Sequence, residues 1–416
     1  MRHDAESGMV LFALSGRADA DNIAPAIWSI GRDGTKVVVY VADKDVLRDL
    51  EHAWWVSECA NLQFRRIVGS AAKGVAQRLL RLRWNRGLMR RELRKSQTQL
   101  AVMEWGEGVA EQDTGLLRRS AQWWSTNFPT QLQLAARDLG VPTAALPHGH
   151  STKTTIIRSH HVQMMMDTND GKLPFSDRDS HAAYIFASDY HRDAILQNST
   201  MSGHHVQVWG SARFNDDWVK RLYVATDAAP LPSLRADQLR RVLFFIPKWN
   251  NLVDKDQTLR LITALGTSTR IQLVVAGHVR GSDSALTDVE FQAVVELPGV
   301  VFVPSVVSSP ALIKACDVLV DVDSSIAFDA VLLGKPYVRP RYLQDASVRT
   351  IWDELGGAHQ TDSLDETVAL VTGAQLTPAT RHTTFDRVVF GGQGNEVLER
   401  YRTGLKRLIS SGKTTP

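Results

Sequence analysis

Short, continuous apolar runs alternate with amphipathic stretches along nearly the whole chain, and that rhythm narrows the fold more than any other feature. "MVLFAL" (9–14), "KVVVYVA" (36–42), "QFRRIV" (63–68), "TQLAVME" (98–104), "PTAALP" (142–147), "AAYIFAS" (182–188) and "HHVQVWG" (204–210) read as strands. Between them "DNIAPAIWSIG", "DVLRDLEHAWW" and "PTQLQLAARDLG" carry a helical period. Strands without polar alternation are buried on both faces, which a parallel sheet covered by helices provides. "ATDAAPLPSLRADQ" (225–238) has no strong period and reads as a linker. The rhythm then restarts with "RVLFFIP" (241–247), "IQLVVAG" (271–277), "GVVFVP" (299–304), "DVLVDV" (317–322) and "KPYVRP" (335–340). In "SPALIKA", Ser309 is the expected N-cap and Pro310 the first helical residue. The expected fold class is α/β, with two Rossmann-like doubly wound domains, 1–228 and 229–416, facing a cleft. Ligands in such sheets bind beyond the carboxyl ends of the strands.

A chain of 416 residues, 44% hydrophobic, is long enough for each half to bury its own core. A net charge of +3 gives no ground for a nucleic-acid partner. Cys59 and Cys316 lie far apart in apolar contexts, which suits a reducing compartment and offers neither a disulfide framework nor a zinc site. The apolar run near the N-terminus is too short for a signal peptide, and no 18-residue apolar stretch exists, so a cytoplasmic protein is expected.

Chemistry-bearing residues gather just after the strands. In "DVDSSIAFDAVLLGKP" (321–336), Asp323 ends a strand and Ser324 and Ser325 open a helix. Free N–H groups and the helix dipole there suit a phosphate; the plainer alternative is that Ser324 merely caps the helix. A metal-binding Asp-x-Asp is disfavoured, because Asp321 and Asp323 would share one face of a buried sheet with no further ligand cluster nearby in sequence. His278 and Arg280 follow "IQLVVAG" on a glycine-flanked loop and suit a pyrophosphate. His148 follows "TAALP", where a general base would project, with Gly149 permitting a positive φ or close approach and Lys153 within reach of a phosphate. Arg213 after "VWGSA" and Lys248 after "FFIP" are further cationic candidates. Glu104 and Glu107, in "MEWGEG", place carboxylates at a strand end, as acid/base work in a sugar transferase requires.

His-Gly-x-x-x-Lys at 148–153, Gly-x-x-Arg at 210–213, the post-strand His278 and Asp-x-Ser-Ser…Asp-Ala…Gly-Lys-Pro at 321–336 occur together in this order. The set resembles the CDP-glycerol glycerophosphotransferase family and the wider capsule and surface-polysaccharide transferases of the GT-B fold, over roughly residues 140–340. The resemblance implies a nucleotide-sugar or nucleotide-polyol donor, CMP/CDP type favoured, held mainly by the C-terminal domain, and a glycan or lipid-linked acceptor on the N-terminal one. It implies His148 as general base or phosphate contact, with His278, Arg280, Ser324 and Ser325 on the donor phosphates. No cofactor or metal is implied, helix dipole and cations taking the metal's place. The sequence departs from the family pattern in having Val279 rather than proline after His278. Two alternatives stand beside this reading: a UDP-N-acetylglucosamine 2-epimerase relative, and a non-catalytic nucleotide-sugar-binding subunit.

The run "RLLRLRWNRGLMRRELRK" (78–95) interleaves Arg and Lys with Leu, Trp and Met. It reads either as a solvated helix face or as a peripheral contact with the anionic inner face of a membrane.

Overall fold

The computed structural model describes residues 9–66, 86–105, 128–147, 149–157, 159–235, 237–277, 285–304, 307–322, 324–373, 375–379, 381 and 383–411. The chain forms two compact units. Unit 1 comprises 1–150, 172–218 and 387–416, and unit 2 comprises 151–171 and 219–386.

Unit 1 is built on β1 (Met9–Leu14), β2 (Lys36–Val41), β3 (Leu62–Arg66), β4 (Thr98–Glu104), β5 (Thr143–Leu146), β6 (Ala183–Phe186) and β7 (Val206–Val208), in the order β3-β2-β1-β4-β5-β6-β7. Every pairing is parallel. Unit 2 has β8 (Arg240–Phe245), β9 (Ile271–Ala276), β10 (Val300–Val303), β11 (Val318–Val320), β12 (Tyr337–Pro340) and β13 (His359–Thr361), in the order β10-β9-β8-β11-β12-β13, again all parallel. In both sheets the strand order reverses beside the first strand, which is the doubly wound pattern with its switch point at β1/β4 and at β8/β11. The apolar runs explain the sheets: every residue of β9 is buried, as are Val10 to Leu14 of β1. The strand β13, with sequence His-Gln-Thr, is the one that the apolar pattern does not announce.

The single expected break at 228/229 does not describe the units. The helix Glu396–Ser411 buries Val397, Leu398, Tyr401, Leu405, Leu408 and Ile409 and belongs to unit 1. Ser29 Oγ donates to Leu398 O at 2.9 Å, and Tyr401 Oη donates to Gly210 O at 3.0 Å. Residues 226–235, expected as the linker, have no regular structure but lie inside unit 2 and not between the units. They are fastened within unit 2, since Ala229 N donates to Ala311 O and Lys314 Nζ to Thr226 O. The helix after β10 is capped one residue earlier than expected: Ser308, not Ser309, is the N-cap, and Pro310 is the second helical residue.

Residues 86–95 are helical, with Met89 and Leu93 in the unit 1 core. Arg86 pairs with Asp138 at 2.7 Å, and Glu92 accepts from Tyr40 Oη at 2.8 Å and Arg65 Nη1 at 2.8 Å. The apolar side of this stretch is therefore spent on the protein interior, leaving Arg91, Arg94 and Lys95 exposed. Residues 78–85 lie outside the described residues. No described helix is long and apolar enough to cross a membrane.

Gly210 shows why the C-terminal return matters. Its φ is +93°, and a Cβ there would stand 2.8 Å from Phe390 O and 2.8 Å from Val397 Cγ2. Gly210→Ala should lower unit 1 stability by roughly 1–3 kcal/mol through backbone strain and overpacking. A urea unfolding midpoint equal to wild type would show that this crossing is not tight.

Candidate functional site

The loop that carries Ser324 and Ser325 lies at the β8/β11 switch point of unit 2. Strand β11 ends at Val320, so Asp321 already lies in the loop, not on a sheet face as its alternation with Asp323 suggests. Asp321 is buried, and its Oδ2 accepts the Ser324 N–H at 2.7 Å, while its carbonyl accepts from Tyr337 Oη at 3.2 Å. Ser324 Oγ in turn accepts the Ile326 N–H at 3.2 Å. The helix runs Ile326–Leu332 with Ser325 as N-cap, and the Ser325 side chain makes no capping bond. Ser324 thus shapes the turn and does not cap the helix, whose N-cap is Ser325. Ser325, half-buried, keeps a hydroxyl at the positive end of the short helix.

The remainder of "DVDSSIAFDAVLLGKP" is structural. Asp329 is buried, and its Oδ1 accepts from Tyr223 Oη at 2.6 Å. Gly334 takes φ +63° to end the helix, and Lys335 Nζ donates to Cys316 O at 2.7 Å. A left-handed glycine just past a helix is the usual way its last carbonyls are met.

Arg339 on β12 holds these loops in place. It is 2% exposed, yet four hydrogen bonds satisfy its guanidinium. Nε donates to Val322 O at 3.2 Å in the Ser324 loop. Nη1 donates to Asp353 Oδ1 at 2.9 Å and Gln360 Oε1 at 3.0 Å, and Nη2 to Gln344 Oε1 at 3.2 Å. Gln344 Nε2 reaches Asn251 O in the loop after β8 at 3.5 Å. The other oxygen of Asp353 accepts the Thr350 N–H at 2.7 Å and its hydroxyl at 3.0 Å. Thr350 then pairs with Lys153 in an antiparallel bridge, with Ile351 N donating to Thr152 O and Thr154 N to Arg349 O. One buried network connects the segments carrying Lys153, Lys248 and Ser325.

Lys153 is itself buried, at 4% exposure, and belongs to unit 2 rather than to the N-terminal half. Lys248 is half-buried ahead of the 3-10 turn Trp249–Asn251. Arg213 lies in unit 1, its guanidinium 5.0 Å from the Phe214 ring centre, and Glu104 is half-buried at the end of β4. Gly149 has no positive φ, so the first of the two reasons for a glycine there does not apply. His148, Glu107, His278, Arg280 and Asp323 lie outside the described residues. Arg339 itself escaped the sequence reading. Its signal was a lone charge inside the otherwise apolar "YVRP" strand, since a buried charge must be paired.

Unit 1 uses its own switch-point turn differently. Asp19 is buried, and its Oδ2 accepts the N–H groups of Ser15 at 2.9 Å and Gly16 at 3.0 Å. A carboxylate of the chain thus occupies the place where a dinucleotide-binding turn holds phosphate. His150 is packed among His191, Phe214 and Phe390, and burial pushes its pKa down to about 3. It stays neutral across the physiological range.

No family model matches the sequence, and no curated protein matches it. Solved structures do. UDP-GlcNAc 2-epimerase from Methanocaldococcus jannaschii superposes with a TM-score of 0.56 at 12% identity, covering 96% of this chain and 99% of that one. UDP-GlcNAc 2-epimerase from Neisseria meningitidis, bound to UDP-GlcNAc, gives 0.55 at 11% identity over 97% and 100%. The wall teichoic acid polymerase TagF gives 0.53 at 10% identity over 98% and 90%. Likeness at such identities is one of fold: two Rossmann-like α/β units of the GT-B type.

Arg339→Met should cost about 3–5 kcal/mol, because it takes from the buried Asp353 carboxylate its close partner and leaves only the half-exposed Arg341 at 3.9 Å. Adding Asp353→Leu should recover part of that loss in a double-mutant cycle; additive losses would mean the two residues do not act together. A second expectation concerns pH. Burial lowers His150 to about 3 and His181 to about 4, from 6.5. Below pH 6.5 the unfolded chain takes up protons that the folded chain refuses. Stability is therefore complete above pH 6.5 and falls as pH drops towards 4, by about 1.4 kcal/mol per pH unit for each histidine. Melting temperature recorded between pH 7.5 and 5 should decline, and less steeply in His181→Gln; a flat profile would place these imidazoles in contact with water.

Proposed function

We propose that this chain is a transferase moving a sugar or polyol phosphate from a nucleotide-activated donor, of CMP/CDP type, to a surface glycan or lipid-linked acceptor. The observation that carries this reading is the loop at the β8/β11 switch point. It presents the Ser325 hydroxyl, without a capping partner, at the start of a helix, on a backbone held from beneath by Arg339. In a doubly wound sheet that is where a ligand's charged group sits. Fold likeness to a teichoic acid polymerase and to an epimerase bound to UDP-GlcNAc agrees with a nucleotide-linked substrate.

On this reading Ser324, Ser325, Asp323, Lys153, Lys248, His278 and Arg280 surround the donor phosphates, Ser324 chiefly through the turn it holds, with Arg213 a further cation. His148 takes the acceptor proton, with Glu104 or Glu107 as the alternative carboxylate base. The helix start and the cations neutralise the leaving phosphate, and turnover is expected to persist with excess EDTA. Any contact with an anionic bilayer runs through exposed cations such as Arg91, Arg94 and Lys95, and weakens as salt rises.

A second reading, sugar epimerisation, is favoured by the likeness to several UDP-GlcNAc 2-epimerases, with TM-scores up to 0.58. Incubation with isotopically labelled CDP-glycerol and with UDP-GlcNAc separates the readings. Release of CMP with label in an acceptor supports transfer, a C2-inverted sugar supports epimerisation, and binding without turnover of either supports a non-catalytic subunit. Ser325→Ala should weaken nucleotide binding by about 1.5–3 kcal/mol, roughly 10- to 100-fold, as expected for a hydrogen bond to a charged group. Unchanged affinity in the folded variant would remove this loop from the donor site.

A further inference from the structure

The helix His160–Asp167 of unit 2, with sequence HHVQMMMD, has no part in the donor reading. Ser159 caps it through the Val162 N–H at 3.3 Å, and it packs beside the Trp249–Asn251 turn with Met166 buried. At 3.6 residues per turn, His160, Met164 and His161 fall at about 0°, 40° and 100° round the axis, and Met166 at about 240°. Met164 is thus flanked by two imidazoles on the side away from the buried residue. Exposure agrees: His160 and His161 are exposed and Met164 is 56% exposed, whereas every other described methionine is buried or half-buried.

One exposed apolar side chain means nothing by itself; its neighbours give this one a chemistry. Residues three and four apart on a helix have Cβ atoms about 5–6 Å from each other, and long helical side chains lean towards the N-terminus. The Met164 thioether therefore leans over the turn that carries His160 and His161. Neither ring has a hydrogen bond or ion pair among the described residues. Two imidazole nitrogens and a sulfur can meet on one ion with bonds of about 2.0–2.3 Å, the lengths a first-row ion makes to nitrogen and sulfur.

Ligand type selects the ion. Thioether sulfur is soft and suits copper(I), which imidazole also binds. A hard ion would want carboxylates, and the one acid of this helix, Asp167, accepts from Gln163 Nε2 at 2.7 Å. No group of three or more His, Cys, Asp or Glu is placed to hold a metal among the described residues. The positive end of the helix disfavours a divalent ion more than a monovalent one. Thiolates would compete, but Cys59 and Cys316 are buried, and burial pushes their thiols up to about 11 and about 12. We propose that His160, His161 and Met164 form a binding site for a soft monovalent metal ion, copper(I), with silver(I) as its redox-inert counterpart. The site stands apart from the donor reading and survives its failure.

NMR of the full chain, isotopically labelled at its methionine methyls, tests it during titration with silver(I) nitrate and, without oxygen, with copper(I) buffered by bicinchoninate. The Met164 methyl signal should move with stoichiometric metal while those of Met89, Met103 and Met201, all buried, stay in place. Zinc(II) should leave it unmoved. Met164→Leu keeps the bulk and loses the sulfur. It, His160→Gln and His161→Gln should each weaken binding about tenfold or more, since loss of an outer-shell partner alone costs about 10- to 100-fold. All three side chains are exposed, so the substitutions leave the core untouched, and an unchanged urea midpoint checks this. Shifts confined to other methionines, or loss of titratable thiol in place of a Met164 shift, would overturn the proposal. So would zinc(II) bound more tightly than silver(I), or affinity unchanged by Met164→Leu or by both histidine variants.

Discussion

A guanidinium buried in the second sheet sets the conditions that the surrounding loops must meet. Arg339 can remain charged at 2% exposure only because Val322 O, Asp353, Gln344 and Gln360 all stand where its donors point. Arginine suits the position because its planar fork addresses several acceptors at once. Val322, Gln344 and Asp353 belong to different segments that follow β11 and β12, and Gln360 lies on β13 itself. Displacing any one of them would expose part of a buried charge to an apolar surrounding. The loops therefore keep their places as a set, which is what a site made of loops needs.

Asp353 extends that set by dividing its two oxygens. One faces Arg339, and the other holds the start of the Ile351–Leu355 helix through Thr350. Because Thr350 pairs with Lys153, a stretch of chain from before residue 171 is drawn into unit 2. Local propensity plays little part here: Thr152, Lys153 and Thr154 form no regular strand, and their order comes from backbone bonds to residues 349–351.

The alternation of apolar strands and amphipathic helices was enough to recover the doubly wound class, and β1 and β4 were legible to the residue. Sheet burial explains this, since a strand covered on both faces must be apolar throughout. What escaped was whatever depends on partners distant in sequence. β13 is polar and three residues long, and is a strand because β12 runs beside it. Gly210 reads as part of a Gly-x-x-Arg motif, but its φ and its crowding come from Phe390, far along the chain. In "DVDSSIAFDAVLLGKP" the residue types pointed to a loop entering a helix, correctly. Only the fold shows that Asp321, Asp329 and Lys335 face inward to their own chain, leaving Ser325 without a cap partner. The helix 86–95 is similar: its basic character was visible, but the destination of Met89 and Leu93 was not.

The return of the last helix to unit 1 has a consequence for biosynthesis. Trp209 lies against Gly404, and the carbonyl of Gly210 awaits the Tyr401 hydroxyl, so the end of the first sheet is finished by residues translated 191 positions later. The whole of 219–386 must be translated in between. At about 5–20 residues per second that is a delay on the order of ten seconds or more, during which the second unit can fold and the first cannot close. The earlier-made half thus matures last, and through that interval Trp209 and its neighbours present an open apolar surface that a nascent-chain chaperone would be expected to cover.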